Sequence, residues 1–256
     1  MRIQKQKNLI KTGDIYSLGE HKLLCGSCMN KKSIERLISQ DKIALILTDP
    51  PYAIDYVNSK AGFKQKIAKD KIIKNDQFQS EKEYIEFTKE WLETILPLLT
   101  RKNSIYIFNC DKMIFALRQA MQDVGIYFSQ LLIWIKNQAV VGRKDYLPQT
   151  ELIAYGWYGT HKFVKSKDKN VIFYPKPNKS KLHPTMKPIG LLRRLILNSS
   201  EIGNVVYDCF GGSGSTLIAC EQTKRKCLMV EIDLEYCQTI IDRFEKLTSI
   251  KAKKLN

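Results

Sequence analysis

The sequence predicts an α/β domain built on a mostly parallel, doubly wound sheet, and three observations point there. Short apolar runs, such as residues 43–47 and 205–208, have the length and continuity of strands buried on both faces. Amphipathic segments with apolar residues at three- and four-residue steps lie between them. Two of the runs end in turn chemistry, Asp49-Pro50-Pro51-Tyr52 and Phe210-Gly211-Gly212-Ser213-Gly214, at the position where sheets of this class hold ligands.

Taken in order, residues 1–13 are polar and basic and read as an arm, with 14–256 as a single domain. Residues 15–25 alternate as one or two short strands broken at Leu18-Gly19-Glu20-His21. Residues 33–39 read as a helix and 43–47 as a buried parallel-type strand. The stretch 53–78 is polar and reads as a surface loop. Helical spacing of Tyr84, Phe87, Trp91 and Ile95 predicts a helix over 81–99. A strand follows at 104–109, then a helix at 112–124 ended by Gly125. Strands at 127–136 and 151–155 come next, and 156–187 reads as irregular. Pro188 suits a first helical position, where its missing N–H costs least. A strand at 205–208, a helix from Ser215, a strand at 227–232 and a helix to about Leu247 complete the alternation.

At 256 residues and 44% hydrophobic composition the chain can bury a sizeable core. Forty-two Lys and Arg against 26 Asp and Glu leave a net charge of +16. That excess suits a polyanionic partner, since each neutralised phosphate releases counterions, and it equally suits a merely soluble lysine-rich surface. Seven scattered cysteines, several inside apolar runs, fit reduced thiols in the cytoplasm. Cys25-Gly26-Ser27-Cys28 has metal-ligand spacing but no second pair, so no metal is expected. The first 13 residues lack the apolar stretch of a signal peptide, and no run approaches membrane-spanning length.

The Gly211-to-Gly214 turn sits between a strand and a helix, where glycines fold tightly and keep Cβ atoms off a ligand. Glu231 ends the next strand, 23 residues after Asp208, a spacing at which an acid accepts hydrogen bonds from ribose hydroxyls. A plain glycine turn with a surface glutamate is the alternative; the strand–turn–helix context favours a nucleoside site. The turn lacks the Lys-Ser/Thr ending of a phosphate-binding loop. At the other tip, Asp49 offers a carboxylate and Pro50 a carbonyl, Pro51 stiffens the turn, and Tyr52 offers an aromatic face. A nucleobase amine is a poor nucleophile, because its lone pair is delocalised into the ring. A carboxylate accepting one amine hydrogen and a carbonyl accepting the other would pyramidalise it and stabilise the developing charge. A strand-terminating Asp-Pro turn with a packed tyrosine is the bland alternative. Together the two tips suggest methyl transfer from S-adenosylmethionine to such an amine.

These motifs resemble the permuted (β) group of DNA amino-methyltransferases, which carry Asp-Pro-Pro-Tyr near the N-terminus and Phe-x-Gly-x-Gly near the C-terminus. The resemblance spans about residues 14–247 and includes His183-Pro-Thr-Met-Lys-Pro188, Leu132-Ile-Trp-Ile-Lys-Asn137 and Asp145-Tyr-Leu-Pro-Gln-Thr-Glu151. It implies a Rossmann-like S-adenosylmethionine-dependent methyltransferase fold with permuted motif order, acting on double-stranded DNA after base flipping. It implies Asp49, Pro50, Pro51 and Tyr52 as catalytic residues. Asp208, Phe210, Gly211, Gly212, Gly214, Thr216 and Glu231 would bind the cofactor, with Thr185 and Lys187 near its methionine half. The Asp that opens the motif favours adenine N6 over cytosine N4, by resemblance. A restriction endonuclease partner and a homodimer are further implied possibilities.

Two departures stand out. Cys25-Gly26-Ser27-Cys28 has Ser27 where the family usually has Asp, and only residues 158–182 are available as a target-recognition segment. Between positions 60 and 74 six lysines stand against Asp70 alone, and between 156 and 187 eight stand against Asp168 alone. Both loops are expected near strand C-terminal ends, gripping DNA through Lys60, Lys64, Lys66, Lys162, Lys165 and Lys179, with Phe63, Trp157, Tyr158, Phe163 and Tyr174 placed to stack on bases. Rival readings are an RNA or protein-glutamine methyltransferase, disfavoured by motif order, and a catalytically silent DNA-binding subunit, disfavoured by the intact motifs.

Overall fold

A computed structural model describes residues 10–52, 79–139, 145–165, 167–176 and 186–255. Its sheet contains β1 (Ile15–Leu18), β2 (His21–Cys25), β3 (Ile43–Thr48), β4 (Leu99–Asn109), β5 (Ile126–Ile135), β6 (Thr150–Tyr158), β7 (Thr160–His161), β8 (Val171–Phe173), β9 (Val205–Asp208), β10 (Lys226–Glu231) and β11 (Lys253–Lys254). The order is β11-β1-β2-β10-β9-β3-β4-β6-β5-β8, with β7 beside β4. The five central strands, β2 to β4 in that order, are all parallel. Strand β6 runs antiparallel to both β4 and β5.

The period-two alternation of side chains sends each strand into two cores. Leu23, Leu45, Leu47, Tyr106, Phe108, Val206, Cys227 and Met229 face one side. There they meet α4 (Ile189–Ser199), α5 (Ser215–Thr223) and α6 (Leu234–Thr248). Leu24, Ile46, Ile105, Ile107, Tyr207, Leu228 and Val230 face the other, against α1 (Lys31–Ile38), α2 (Glu81–Ile95) and α3 (Ile114–Asp123). The expected doubly wound α/β arrangement is therefore present.

Local chemistry explains the helix starts. Asn30 Oδ1 accepts the Ser33 N–H at 3.0 Å ahead of α1. Ser80 and Glu83 form a reciprocal capping box on α2. Asp233 accepts the N–H groups of Glu235 and Tyr236 to open α6. Helix α2 ends at Ile95, earlier than its periodicity predicts, because Pro97 sits in a 3-10 turn over Leu96–Leu98. Pro188 lies one position before α4 rather than at its first helical position, and its carbonyl accepts the Leu192 N–H at 3.2 Å.

Strands β7 and β8 fall inside the stretch expected to be irregular. The antiparallel run of β6 also corrects the expected course of that stretch. Tyr158 lies at the end of the sheet where β4 and β9 begin, so residues 158–165 sit at the base rather than at the strand C-termini. Only from β8, parallel to β5, does the chain climb back towards Lys187. The lysines at 60, 64, 66 and 179, Phe63 and Thr185 lie outside the described residues, as does most of the 1–13 arm.

Candidate active site at the tips of β3 and β9

Strand β3 pairs in parallel with β9, Ile46 opposite Tyr207, so the two motif-bearing tips emerge side by side. Thr48 Oγ1 donates to Asp208 Oδ1 at 2.7 Å, and the Phe210 N–H donates to the same oxygen at 3.1 Å. The first bond ties the last residue of β3 to the last residue of β9, and the second closes the start of the glycine turn onto β9. Burial pushes the Asp208 carboxyl up to about 6, although Thr216 and Thr48 donate to it, and the Asp49 charge pushes in the same direction.

On the glycine side, the turn wraps back onto β10. The Gly211 N–H donates to Val230 O at 2.8 Å, and a Cβ on Gly211 would meet Met229 Cγ at 2.7 Å. Gly212 and Gly214 hold positive φ values of 52° and 81°, a region costly for other residues. Glu231 accepts the Gly212 N–H at 2.6 Å on one oxygen and the Asp233 N–H at 2.8 Å on the other. Burial raises its carboxyl to about 7 against those two donors. Arg243, from α6, donates to Ser213 and braces the turn. Phe210 turns away from the turn, meeting Trp91 edge-on at 5.7 Å with Phe87 at 6.1 Å. It therefore anchors the turn to α2.

A nucleoside fits this end. Glu231 offers acceptors, the glycines leave backbone exposed, and Ser215 Oγ, at the first residue of α5, is buried without a hydrogen-bond partner among the described residues. A polar ligand group over the turn would satisfy it.

On the Asp49 side, the structure adds residues that the motifs do not contain. Tyr52 Oη lies 2.6 Å from Asp49 Oδ1 and 2.8 Å from Glu151 Oε1. The Lys187 ammonium contacts Asp49 Oδ2, reaches Glu151 Oε1 at 2.7 Å, and stands 5.0 Å from the Phe108 ring centre. Lys136 holds the other oxygen of Glu151 at 2.9 Å. Pro50 is buried, and the Asp49 side chain retains 24% exposure, a window through which an outside donor can reach it.

Charge in this cluster is strongly biased. Burial raises the Asp49 carboxyl, Lys187 opposes the rise, and Glu151 adds to it. Burial works against Glu151 as well, but Lys187 and Lys136 outweigh it and hold that carboxyl down at about 2. Burial disfavours the Lys187 ammonium, and its two carboxylates more than compensate, so it stays protonated. Burial also holds the Tyr52 phenol far above its ordinary range, reinforced by the charges of Asp49 and Glu151, so it acts as a donor.

Lys187, expected near the cofactor, thus sits with the Asp49 group. Lys136 and Glu151 were missed as site residues. One signal existed: a Lys closing one apolar run and a Glu opening the next are what an antiparallel pair brings together, and Trp134 pairs with Glu151. Lys162 and Lys165, expected to grip DNA beside the pocket, lie at the base. Lys162 Nζ meets Glu201 at 2.9 Å and Asn204 at 3.3 Å, just before β9, and the Lys165 N–H donates to Asn198 O. Trp157 and Phe163 pack there too, around His161, and the Tyr158 N–H is held by Asn103. Tyr174 lies higher, its carbonyl accepting from Trp134 Nε1 at 2.7 Å.

A doubly wound sheet with a glycine turn, a ribose-spaced acid and a carboxylate at the neighbouring tip defines a Rossmann-like nucleoside-cofactor enzyme with permuted motif order. The comparisons with known proteins then specify which. Residues 43–242 match the DNA methylase family N6_N4_Mtase, and the chain belongs to that family of DNA methyltransferases, whose methyl donor is S-adenosylmethionine. Among curated relatives, the Type II methyltransferase M.HpaI of Haemophilus parainfluenzae is 29% identical over 88% of this chain and 74% of its own length. The Type II methyltransferase M2.MboI of Moraxella bovis is 25% identical over 88% of each chain. Among solved structures, the M1.HpyAVI–SAM complex superposes with a TM-score of 0.63 at 23% identity, covering 86% of this chain and 98% of that one. The cytosine-N4-specific PvuII DNA methyltransferase gives 0.67 at 18% identity, covering 90% of each.

Proposed function

We propose that the protein methylates adenine N6 in double-stranded DNA, on a base flipped out of the helix into the space before Asp49. The observation that carries this reading is the Thr48–Asp208 bond, which places the Asp49 turn against the glycine turn. S-Adenosylmethionine supplies an electrophilic methyl group when bound. Glu231 and the Gly211–Gly214 backbone would hold its nucleoside, with Asp208, Thr216 and Ser215 beneath. Asp49 accepts one hydrogen of the amine and the Pro50 carbonyl the other, localising the nitrogen lone pair. After transfer, the nitrogen loses a proton for which the Asp49 carboxylate is the nearest base. The Tyr52 ring offers the flipped base a stacking face.

Adenine is favoured over cytosine by the Asp at the head of the motif. The fold itself accommodates either amine, as the likeness to a cytosine-N4-specific enzyme illustrates. By analogy with the Type II relatives, the protein would work in the cytoplasm beside a restriction endonuclease of matching specificity. Expression in a methylation-deficient host, followed by single-molecule sequencing and nucleoside mass spectrometry, tests the reading. N6-methyladenine at one recurrent site is expected; N4-methylcytosine would replace adenine as the target, and unmodified DNA would overturn the proposal.

A further inference from the structure

The geometry points to Glu151 as a positioning residue for the target amine: it is the second acceptor onto which Tyr52 and Lys187 fall back when the amine claims Asp49. The inference rests on the amine-methylation reading above. Both oxygens of Asp49 are engaged in the free protein, Oδ1 by the Tyr52 hydroxyl at 2.6 Å and Oδ2 by the Lys187 ammonium. An incoming N–H either shares one of these oxygens with its present donor or displaces that donor, and sharing weakens both bonds. A hydroxyl has a single hydrogen and serves one acceptor at a time. The Tyr52 oxygen nonetheless stands at 2.8 Å from Glu151 Oε1, and Lys187 Nζ stands 2.7 Å from that same atom. When the amine takes Oδ1, the tyrosine hydrogen can rotate to Glu151 and no buried donor is orphaned.

Lys136 makes the device work by pinning Glu151 Oε2 at 2.9 Å, which keeps Oε1 aimed at the pair it receives. The groups facing Asp49 are Tyr52 from its own turn, Glu151 from β6, Lys187 from the segment before α4, and, within electrostatic reach, Asp208 from β9 and Tyr84 from α2. Glu151 and Lys187 therefore pull the ionisation of Asp49 in opposite directions. The rate needs Asp49 ionised, so it is lost as pH falls through the raised titration of that carboxyl.

The test is the pH profile of methyl transfer to a duplex carrying the mapped site, for wild type, Glu151→Gln, Glu151→Asp and Lys187→Met, with folding checked by circular dichroism. Glu151→Gln removes the negative charge and leaves only a weaker amide acceptor, so Tyr52 and Lys187 hold more firmly to Asp49. Its rate near neutral pH should fall about tenfold, and its acid limb should move down by about one pH unit. Lys187→Met should move the acid limb up, and Glu151→Asp should recover part of the rate. A purely structural glutamate would lower the folded fraction and leave the acid limb in place, which overturns the inference. Should Glu151→Gln fail to fold, Lys187→Met decides: an upward shift supports the network and an unmoved limb removes it. A wild type that methylates no DNA amine would instead overturn the functional reading itself.

Discussion

In the proposed reaction Asp49 acts as a charged acceptor, in a place where burial favours the neutral acid. Lys187 is the residue that offsets this, and Glu151 in turn keeps Lys187 charged. Replacing Asp49 by Asn keeps the shape and removes the charge, leaving a weaker acceptor for the amine hydrogen. The expected loss in methyl incorporation is about 10²–10³-fold, with cofactor affinity close to wild type because Glu231 and the glycine turn are untouched. Incorporation of labelled methyl into DNA, beside calorimetric titration of the cofactor, separates the two effects; an active Asp49→Asn variant would remove Asp49 from the chemistry. Asp49 and Glu231 were legible because each closes an apolar run with an acid next to turn chemistry. Lys136, Glu151 and the role of Lys187 were not, since their meaning lies in convergence from β5, β6 and the pre-α4 segment. The ends of two apolar runs hint at the Lys136–Glu151 pair, but no local pattern encodes their meeting with Lys187 and Asp49.

Strands explain most of what was legible and what was not. Runs such as β3, β9 and β10 are apolar on both faces because helices cover both, so hydrophobic continuity alone reveals them. The two- and three-residue strands β7, β8 and β11 carry no such signal; β8 and β11 exist because β5 and β1 offer free edges, and β7 because the start of β4 extends past its pairing with β6. The antiparallel direction of β6 is likewise a tertiary fact, and missing it put Lys162 at the wrong end of the sheet. The tip of β10 supports a prediction of its own. Burial lifts Glu231 from an ordinary 4.5 to about 7. Its contribution to the stability of the cofactor-free protein is therefore complete below the ordinary range and is lost as pH rises through about 7. Cofactor binding runs the other way, because ribose hydroxyls donate best to the ionised carboxylate. Affinity should be highest above about pH 7 and weaken as pH falls through it, by up to about tenfold per unit. Calorimetric titration between pH 5.5 and 8.5, values taken as roughly bracketing that titration, measures the slope. Glu231→Gln should bind more weakly and flatten it; a wild type with no slope would mean that Glu231 does not receive the ribose.

Across the whole molecule, a charge of +16 provides attraction to a duplex without saying where the duplex lies. The sheet separates the described lysines of the 156–187 stretch between its two ends. Among the described residues, Lys176, just past β8, and Lys187 lie at the end of the sheet where Asp49 and Asp208 emerge. Those at 162 and 165 lie at the strand beginnings, and the Lys162 ammonium is already committed to Glu201 and Asn204. On the proposed function, a duplex delivering a base to Asp49 would meet that end of the sheet and not Lys162 or Lys165. Binding of a duplex should weaken by about 10³-fold or more between roughly 50 and 200 mM salt, the response expected when six or more phosphates are neutralised. Lys162→Ala and Lys165→Ala should leave that log–log slope unchanged in fluorescence-anisotropy titrations. Every phosphate that a lysine neutralises adds about 0.9 to the steepness of the slope. A shallower slope in either variant would therefore put DNA at the base of the sheet and contradict the placement of the duplex over the β3 and β9 tips.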